Sequence, residues 1–337
     1  MGSPGDKSPL RGRIRRGRRT LLKAGKRERR DLFSQSGLTT KDAAGLAPAD
    51  DFVIVVNPDA GGERRRLAEA VTAALAARGR RVVVETAIHR GHIRQTAESV
   101  RAGALLVAGG DGSVNEAVRG LLARPGPRPK LGVVPQGTVN VLAQELRLPK
   151  DGAALAEIFL RGATKPLYVG LANGRPFTLM ASAGLDAEVV KTVDIGRKRL
   201  KRHLGRLAYA LAAAKIFARG GFPDIEAETD AGALRAKCVV VAKSRYYGGN
   251  YVIDASADVT RPGLSLVALT EVSPRAALAL FRYVATGRLD EAGCVKRLAI
   301  RKATLRGAGA AQIDGDYLGP APVEICEAEE TLDVFAA

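Results

Sequence analysis

The stretch Leu105-Leu-Val-Ala-Gly-Gly-Asp-Gly-Ser-Val-Asn-Glu116 runs from apolar residues through a glycine-rich turn into helical spacing. Glycines at 109, 110 and 112 allow the backbone to approach a ligand closely. The helix that follows offers free N–H groups and the positive end of its dipole. The stretch therefore predicts a strand, a phosphate-binding turn and a helix. It lacks the lysine of a Walker A loop, and a turn in which Asp111 or Ser113 only caps the helix is the alternative.

Two other segments repeat this order of strand, turn and helix start. Leu131-Gly-Val-Val-Pro-Gln-Gly-Thr-Val-Asn140 ends its apolar run at a proline, and Val55-Val-Asn-Pro-Asp-Ala-Gly-Gly62 follows the first apolar run of the chain. Ligands of parallel sheets bind where strands end and helices begin. Because the three turns follow consecutive strands, we expect them to converge on one ligand.

Alternating patterns around these turns predict a parallel α/β domain over residues 51–164. Strands are predicted at 52–57, 81–86, 105–108 and 131–135, and helices at 63–78, 91–101, 113–122 and 138–146.

From about residue 165 the pattern changes to strands joined mostly by turns, which predicts an antiparallel β-sandwich over 165–337. These strands are predicted at 168–173, 176–183, 222–229, 234–244, 264–270, 296–300, 312–314 and 322–327, with helices at 186–194 and 204–218. The predicted fold class is thus α/β plus all-β. The last segment of the chain could return toward the first domain.

The net charge of +18 favours anionic partners, and it is partly concentrated in a basic arm. Residues 1–50 hold 13 Lys and Arg against 5 Asp and Glu, so the arm is expected either to be a solvated tail or to contact a membrane. Three well-separated cysteines indicate neither a disulfide framework nor a zinc site. The sequence has no apolar run of 18 residues and no signal peptide, so we expect a cytoplasmic, peripherally membrane-associated protein.

These segments resemble the nucleotide motifs of the diacylglycerol kinase and sphingosine kinase catalytic family. The matching features are Asn57-Pro58 with Gly61, Gly109 to Glu116, and Pro135 to Asn140. Later matches are Gly205-Arg-Leu-Ala-Tyr209, Tyr247-Gly-Gly-Asn250 with Ile253-Asp-Ala255, and Ile313-Asp-Gly-Asp316. The resemblance covers roughly residues 52–335. It implies a Rossmann-like domain and a sandwich domain with the active site in the cleft between them, where ATP phosphorylates a lipid alcohol.

The resemblance also implies roles for individual residues. Asp316 takes the position of the family's general base, with Asp314 beside it, and could accept the proton of the lipid hydroxyl. A hairpin turn is the alternative reading of Asp314-Gly315-Asp316. The implied nucleotide-binding residues are Asn57, Pro58, Asp59, Ala60, Gly61, Thr86, Gly109, Gly110, Asp111, Gly112, Ser113, Val114, Asn115 and Thr138.

Magnesium is the implied metal, because Asp111 cannot itself favour a phosphate and needs a bridging cation or a hydrogen-bonding role. Some family members hold a structural magnesium in a D-x-x-x-x-D-G segment. Asp254 and Asp258 remain here, but Pro262 precedes Gly263 where the last Asp would stand. Other departures from the family are Ser113 for Thr, Asp59 and Ala60 in the first motif, Val141 after Asn140, and Asp316 for Glu.

The expected partners are a lipid substrate at the membrane surface and anionic phospholipid headgroups, without specific nucleic acid; a homodimer is possible. Diacylglycerol, a sphingoid base, ceramide and an isoprenoid-type alcohol remain open as acceptors. A membrane-facing cluster is predicted at Lys191, Arg197, Lys198, Arg199, Lys201, Arg202 and Arg206.

The alternatives to a lipid kinase are an NAD kinase, which shares the glycine-rich turn, a nucleotide- or lipid-binding protein without catalysis, and a nucleic-acid binder that uses the arm.

Overall fold

The computed structural model describes residues 51–58, 65–196, 211–213, 215–216, 220, 222–271 and 292–337. The basic arm at 1–50, most of the predicted helix at 204–218 and positions 59–61 lie outside these ranges.

The first sheet has six strands in the order β2-β1-β3-β4-β20-β5. Its first four strands are parallel, and they alternate with helices. In chain order the elements are β1 (Phe52–Val56), α1 (Arg65–Ala77), β2 (Val82–Thr86), α2 (His92–Ser99), β3 (Ala104–Gly109), α3 (Asp111–Ala123), β4 (Lys130–Pro135), α4 (Val141–Glu145), α5 (Gly152–Arg161) and β5 (Thr164–Leu167). Strands β1 and β3 are buried throughout, as expected for a parallel sheet whose faces are covered by helices.

The C-terminal strand β20 (Leu332–Phe335) belongs to this first sheet. It pairs parallel to β4, with Val334 beside Leu131, and antiparallel to β5. Phe335 is buried, and its ring meets that of Phe159 on α5 edge to face, with the ring centroids 5.2 Å apart. The end of the chain is therefore anchored in the core of the α/β part.

Of the remaining strands, twelve form two six-stranded antiparallel sheets, in the orders β10-β9-β16-β19-β6-β7 and β15-β14-β11-β8-β17-β18, and β12 pairs with β13 in a separate two-stranded sheet. A separate apolar core, with Phe177, Leu266 and Leu305 among its buried members, belongs to these strands. The elements are β6 (Gly170–Ala172), β7 (Arg175–Phe177), β8 (Met180–Gly184), α6 (Leu185–Gly196), β9 (Ile225–Thr229), β10 (Gly232–Ala236), β11 (Cys238–Ala242), β12 (Tyr246–Tyr247), β13 (Tyr251–Val252), β14 (Leu264–Leu269), β15 (Val295–Ile300), β16 (Lys302–Arg306), β17 (Ala310–Ile313), β18 (Asp316–Pro320) and β19 (Val323–Glu327). The predicted fold class, α/β followed by an antiparallel sandwich, is confirmed.

Several predicted elements differ from the observed ones. The single strand predicted at 176–183 is two strands, β7 and β8, which lie in different sheets. The predicted strand at 234–244 divides in the same way into β10 and β11. The helix predicted from 138 begins only at Val141, because Asn140 adopts a left-handed conformation. Helix α5 and strands β5, β16, β18 and β20 were not predicted.

Replacing Phe335 by Ala should lower the free energy of unfolding by about 3–5 kcal/mol, because a buried aromatic side chain leaves a cavity against Phe159. Chemical denaturation measures the change. Asp333→Ala on the same strand is the control, since Asp333 is exposed and should change the free energy by less than about 0.5 kcal/mol. Equal effects of the two substitutions would contradict the placement of this strand.

Candidate functional site

The second and third turns, and the start of the first turn at Asn57 and Pro58, lie at one edge of the first sheet. Strands β1, β3 and β4 are neighbours, and backbone hydrogen bonds continue their pairing into the turns. The N–H of Asn57 donates to the carbonyl of Ala108, and the N–H of Gln136 donates to the carbonyl of Gly109, both at 2.9 Å. The predicted convergence of the turns therefore has a direct basis in the strand pairing.

The second and third turns touch through their glycines. A Cβ atom built on Gly137 would lie 2.5 Å from the Cα atom of Gly110, which is closer than real Cβ contacts allow. A Cβ atom on Gly109 would lie 2.5 Å from the side chain of Ser113. Both positions need glycine because backbone and side chain pack where another residue would place a methyl group.

The third turn is closed by Asn140, whose side chain holds both polar groups of Gly137. Its Oδ1 accepts from the N–H of Gly137 at 2.7 Å, and its Nδ2 donates to the Gly137 carbonyl at 2.9 Å. Asn140 has a φ of 57°, a conformation that Asn tolerates better than most residues. These contacts explain why a turn, rather than a helix, occupies 137–140.

The first turn joins the second through a side-chain contact. The Nδ2 group of Asn57 donates to Oγ of Ser113 at 2.8 Å. Pro58, Thr86 and Thr138 are exposed near the ends of β1, β2 and β4, and Asp59, Ala60 and Gly61 lie outside the described residues. The structure thus places Asn57 and Ser113 in contact and leaves Pro58, Thr86 and Thr138 open to solvent.

Helix α3 begins at Asp111 directly after Gly110, and no side chain caps it. Its first N–H groups have no partner within the helix, and Gly112 is exposed. Val114, like Ser113 and Asn115, is buried. The start of α3 therefore suits an anion, both through its N–H groups and through its dipole.

Asp111 itself caps a different helix. Its two carboxylate oxygens accept from the N–H groups of Val141 and Leu142, at 3.0 and 3.1 Å, at the start of α4. Burial raises the pKa of this carboxyl above its ordinary value, and the two N–H groups act in the opposite direction. The hydrogen-bonding role considered for Asp111 is therefore visible, and its contact with magnesium stays a prediction.

One hydrogen bond connects helix α3 to the sandwich strands. Asn115, one turn into α3, donates from Nδ2 to Oδ2 of Asp314 at 2.5 Å. The same Nδ2 lies 3.3 Å from the carbonyl oxygen of Pro176. This contact joins residues 199 positions apart and holds the turn between β17 and β18 against helix α3.

The carboxylate of Asp314 is surrounded by donors from the segment between β7 and β8. Oδ2 accepts from the N–H and hydroxyl of Thr178 at 2.8 and 3.1 Å, and Oδ1 accepts from the N–H groups of Leu179 and Met180 at 2.9 and 3.0 Å. Burial raises the pKa of Asp314, while these backbone donors act to lower it. The N–H groups of residues 178–180 donate to this carboxylate, which explains why the predicted strand at 176–183 is broken.

Asp314 and Gly315 form a two-residue hairpin turn between β17 and β18, with positive φ angles of 49° and 84°. An Asp-Gly pair is favoured in such a turn. Asp316 follows at the first position of β18 and is exposed. Within the described part of the chain its carboxylate accepts no hydrogen bond and joins no ion pair, so it is available to a substrate.

Asp316 also lies near helix α3. Arg119 is one turn beyond Asn115, and the charges of Asp314 and Asp316 both act on the pKa of its guanidinium. The charge of Asp316 therefore lies within electrostatic range of Arg119 on α3.

Asp254 and Asp258 each accept hydrogen bonds from neighbouring hydroxyl and N–H groups. Asp254 accepts from Ser265 and from the N–H and hydroxyl of Ser256, and Asp258 accepts in the same local way from Thr260. Burial acts to raise the pKa of both carboxyls, but these hydrogen bonds leave it below the ordinary value. No group of three His, Cys, Asp or Glu residues that could hold a metal occurs among the described residues.

A polar cluster next to the hairpin turn was missed in the sequence. Asp186, at the start of α6, accepts from Ser182, Gln312 and the hydroxyl of Tyr247. The Oε1 atom of Gln312 in turn accepts from the N–H of Gly315 at 2.8 Å. Because Ser182 and Asp186 flank the β8–α6 junction, an acidic residue at that helix start was the available signal.

A second missed contact lies at the far end of α4. Glu145 is almost fully buried, and its carboxylate receives the N–H and Nε groups of Arg245 at 2.6 and 3.0 Å. The capped helix α4 is thereby tied to the segment that leads into β12.

The predicted membrane-facing cluster is mostly outside the described residues, and only Lys191 can be placed. Its Nζ lies 3.4 Å from Glu188 and 5.9 Å from the centre of the Tyr317 ring. Within the described ranges, no helix is long and apolar enough to span a membrane.

Two family models match the chain. Residues 51–172 match the diacylglycerol kinase catalytic domain, and residues 180–336 match a domain described as the YegS C-terminal NAD kinase β-sandwich-like domain. Together they cover the α/β elements and the two antiparallel sheets.

Relatives and solved structures agree with these models. A diacylglycerol kinase of Staphylococcus aureus is 28% identical over 240 residues, covering 69% of this chain and 74% of that protein. One from Staphylococcus carnosus is 34% identical over 126 residues, which is 37% of this chain and 40% of that protein. A crystal structure of a Bacillus anthracis diacylglycerol kinase has the same fold, with a TM-score of 0.69 at 20% identity, covering 87% of this chain and 98% of its own. Residues 51–172 thus belong to the diacylglycerol kinase catalytic-domain family.

Proposed function

We propose that this protein is an ATP-dependent lipid kinase that phosphorylates a hydroxyl group of diacylglycerol or a related lipid. The observation that carries the proposal is the hydrogen bond from Asn115 to Asp314, which holds the turn bearing Asp316 against the helix that opens the phosphate site. The relatives described as diacylglycerol kinases support diacylglycerol as the first acceptor to test. A sphingoid base and ceramide are the next acceptors.

In this proposal the triphosphate of ATP lies at the edge formed by the three turns. The N–H groups at the start of α3 face its oxygens, and the contact of Gly110 with Gly137 keeps side chains away from it. Magnesium would arrive with the nucleotide and neutralise phosphate charge. The described residues form no metal cage of their own, so no step is assigned to a protein-bound ion.

The chemical step transfers one phosphoryl group. The oxygen of the lipid hydroxyl forms a bond to the γ-phosphorus, the bond from that phosphorus to the β–γ bridging oxygen breaks, and ADP leaves. Asp316 accepts the hydroxyl proton and later releases it to water. Asp314 has its oxygens occupied by donors and acts as the positioning residue that fixes the turn.

Association with a membrane surface is part of the proposal, because the acceptor is a lipid. The net charge of +18 would draw the chain to anionic headgroups at roughly 1 kcal/mol per basic residue near the surface.

The main alternative is an NAD kinase, because the family model that matches residues 180–336 is described as NAD kinase β-sandwich-like. An assay of the purified chain with labelled ATP separates the two. We expect label on diacylglycerol in vesicles, with sphingoid base and ceramide as parallel acceptors. Label on NAD and on no lipid would replace the proposed function, and turnover of no acceptor would indicate a protein that only binds nucleotide or lipid.

Replacing Asp316 by Asn should lower kcat by about 10²- to 10⁴-fold, because the proton of the acceptor hydroxyl loses its base. Asp316→Glu keeps a carboxylate and should retain most of the rate. Steady-state kinetics with ATP and lipid vesicles measure both. Glu324→Gln is the control, since Glu324 is also exposed on a strand of the same domain. If Asp316→Asn had the same kcat as the control, Asp316 would not be the base of the reaction.

Two substitutions separate the roles of Asp111. Asp111→Ala leaves the N–H groups of Val141 and Leu142 without an acceptor, and should cost about 1 kcal/mol of unfolding free energy. Asp111→Asn keeps one acceptor oxygen and should cost less. If Asp111 also contacts nucleotide-bound magnesium, Asp111→Asn should lower kcat about tenfold or more despite its stability. Full activity of Asp111→Asn would limit Asp111 to capping α4.

A further inference from the structure

A second pocket, of about 570 Å³, lies further along helix α3 from the phosphate turn. Its walls come from the later part of α3, from α2, from the hairpin of β6 and β7, and from residues 328–330. Arg119 in its wall is eight residues beyond Asp111, the first residue of the helix, which corresponds to about 12 Å along it. The pocket is therefore separate from the turns to which the nucleotide is assigned.

Three arginines from three different elements line this pocket: Arg94 on α2, Arg119 on α3 and Arg175 on β7. The Nε group of Arg119 is buried and has no hydrogen-bond partner among the described residues. Arg175 is exposed and makes no ion pair within the same ranges. Two of the three guanidinium groups thus face the pocket without a fixed partner.

The three charges repel one another. Burial lowers the pKa of Arg119, and the positive charge of Arg175, followed by that of Arg94, acts in the same direction. Asp314 and Asp316 offset part of this effect from the side of the hairpin turn. Gathering like charges is unfavourable unless an anion is present to compensate them.

Three acids around the pocket are already engaged, whereas Glu329 in its wall and Asp316, whose charge acts on Arg119, are not. Glu98 pairs with Arg94 at 2.7 Å, and Glu330 pairs with Arg128. Asp314 has its oxygens filled by the donors at 178–180. Glu329 is the remaining acid in the pocket wall.

We propose that this pocket is a second phosphate-binding site, distinct from the nucleotide site, in which Arg119 and Arg175 bind a free phosphate or the phosphate of a lipid headgroup. The planar guanidinium fork forms paired hydrogen bonds with phosphate oxygens, which makes arginine the suited residue. The apolar walls at Leu122 and Leu171 leave room for the carbon atoms attached to a headgroup. A bound anion would connect α3 to the β6–β7 hairpin, beside the contact of Asn115 with Asp314. The inference does not depend on the proposed kinase activity.

Calorimetric titration of the full chain with inorganic phosphate tests the site. We expect the double variant R119Q/R175Q to bind phosphate about tenfold or more weakly than the unaltered chain, because it loses two charge-assisted contacts. R161Q is the matched control, since Arg161 is an exposed arginine outside the pocket. Without phosphate the double variant should unfold at no lower temperature than the unaltered chain, because the repulsion is relieved. R119K/R175K keeps the charges but not the forks, and should bind with intermediate affinity.

The glycine turns are the other place where phosphate can bind, so G110A is the variant that tests binding there. Loss of phosphate binding in G110A together with full binding in R119Q/R175Q would overturn the proposal. The proposal would also be overturned if, with both probes, the unaltered chain and the double variant bound equally well or neither bound. The second probe is vesicles of phosphatidylcholine with and without phosphatidylglycerol. Weaker phosphatidylglycerol-dependent binding by the double variant identifies the headgroup as the source of the phosphate. Unchanged vesicle binding with lost phosphate binding identifies free phosphate.

Discussion

The hydrogen bond between Asn115 and Asp314 is the contact on which the candidate active site depends. It joins the first turns of helix α3 to a hairpin almost two hundred residues later. The carboxylate that receives it is itself held by three consecutive backbone N–H groups at 178–180. Because a charge-assisted hydrogen bond in a partly buried setting is strong and directional, this arrangement sets where Asp316 lies relative to α3. Residues 314 and 316 thus have different tasks, although they share one short turn.

The opposite side of the site is shaped by close backbone contact. Gly110 and Gly137 approach each other so closely that neither position has room for a side chain, and Asn57 contacts Ser113. Asp111 extends this unit by capping α4, whose last residue, Glu145, holds Arg245. The edge of the α/β sheet is therefore connected to the sandwich at two places, the hairpin turn and the Arg245 segment. A preorganised site of this kind suits phosphoryl transfer, in which positioning and electrostatic stabilisation supply most of the catalysis.

The sequence predicted the elements whose signals are local. Apolar runs and glycine-rich turns predicted the parallel strands and the order of the turns at their ends, and a hairpin at 314–315 was the alternative interpretation of Asp-Gly. Helix α5 also had local signals, since Asp151 caps its start and Gly162 follows its end, but they were not used. Strand β20 and the divided strands at 176–183 and 234–244 were out of reach, because the sheet that a strand joins depends on partners far away in the chain. For the same reason, the separate roles of Asp314 and Asp316 and the presence of Arg119 and Arg175 in one pocket could not be predicted from the sequence.

A crystal structure of the chain with a non-hydrolysable ATP analogue and magnesium tests the central claim most directly. The account requires the γ-phosphate to lie at the start of α3, with the Asp316 carboxylate about 6 Å from the γ-phosphorus, which leaves room for one hydroxyl oxygen between them. The contact of Asn115 with Asp314 should be present in the same crystal. A γ-phosphate bound on another face of the molecule, or an Asp316 carboxylate pointing away from it with that contact intact, would contradict the account.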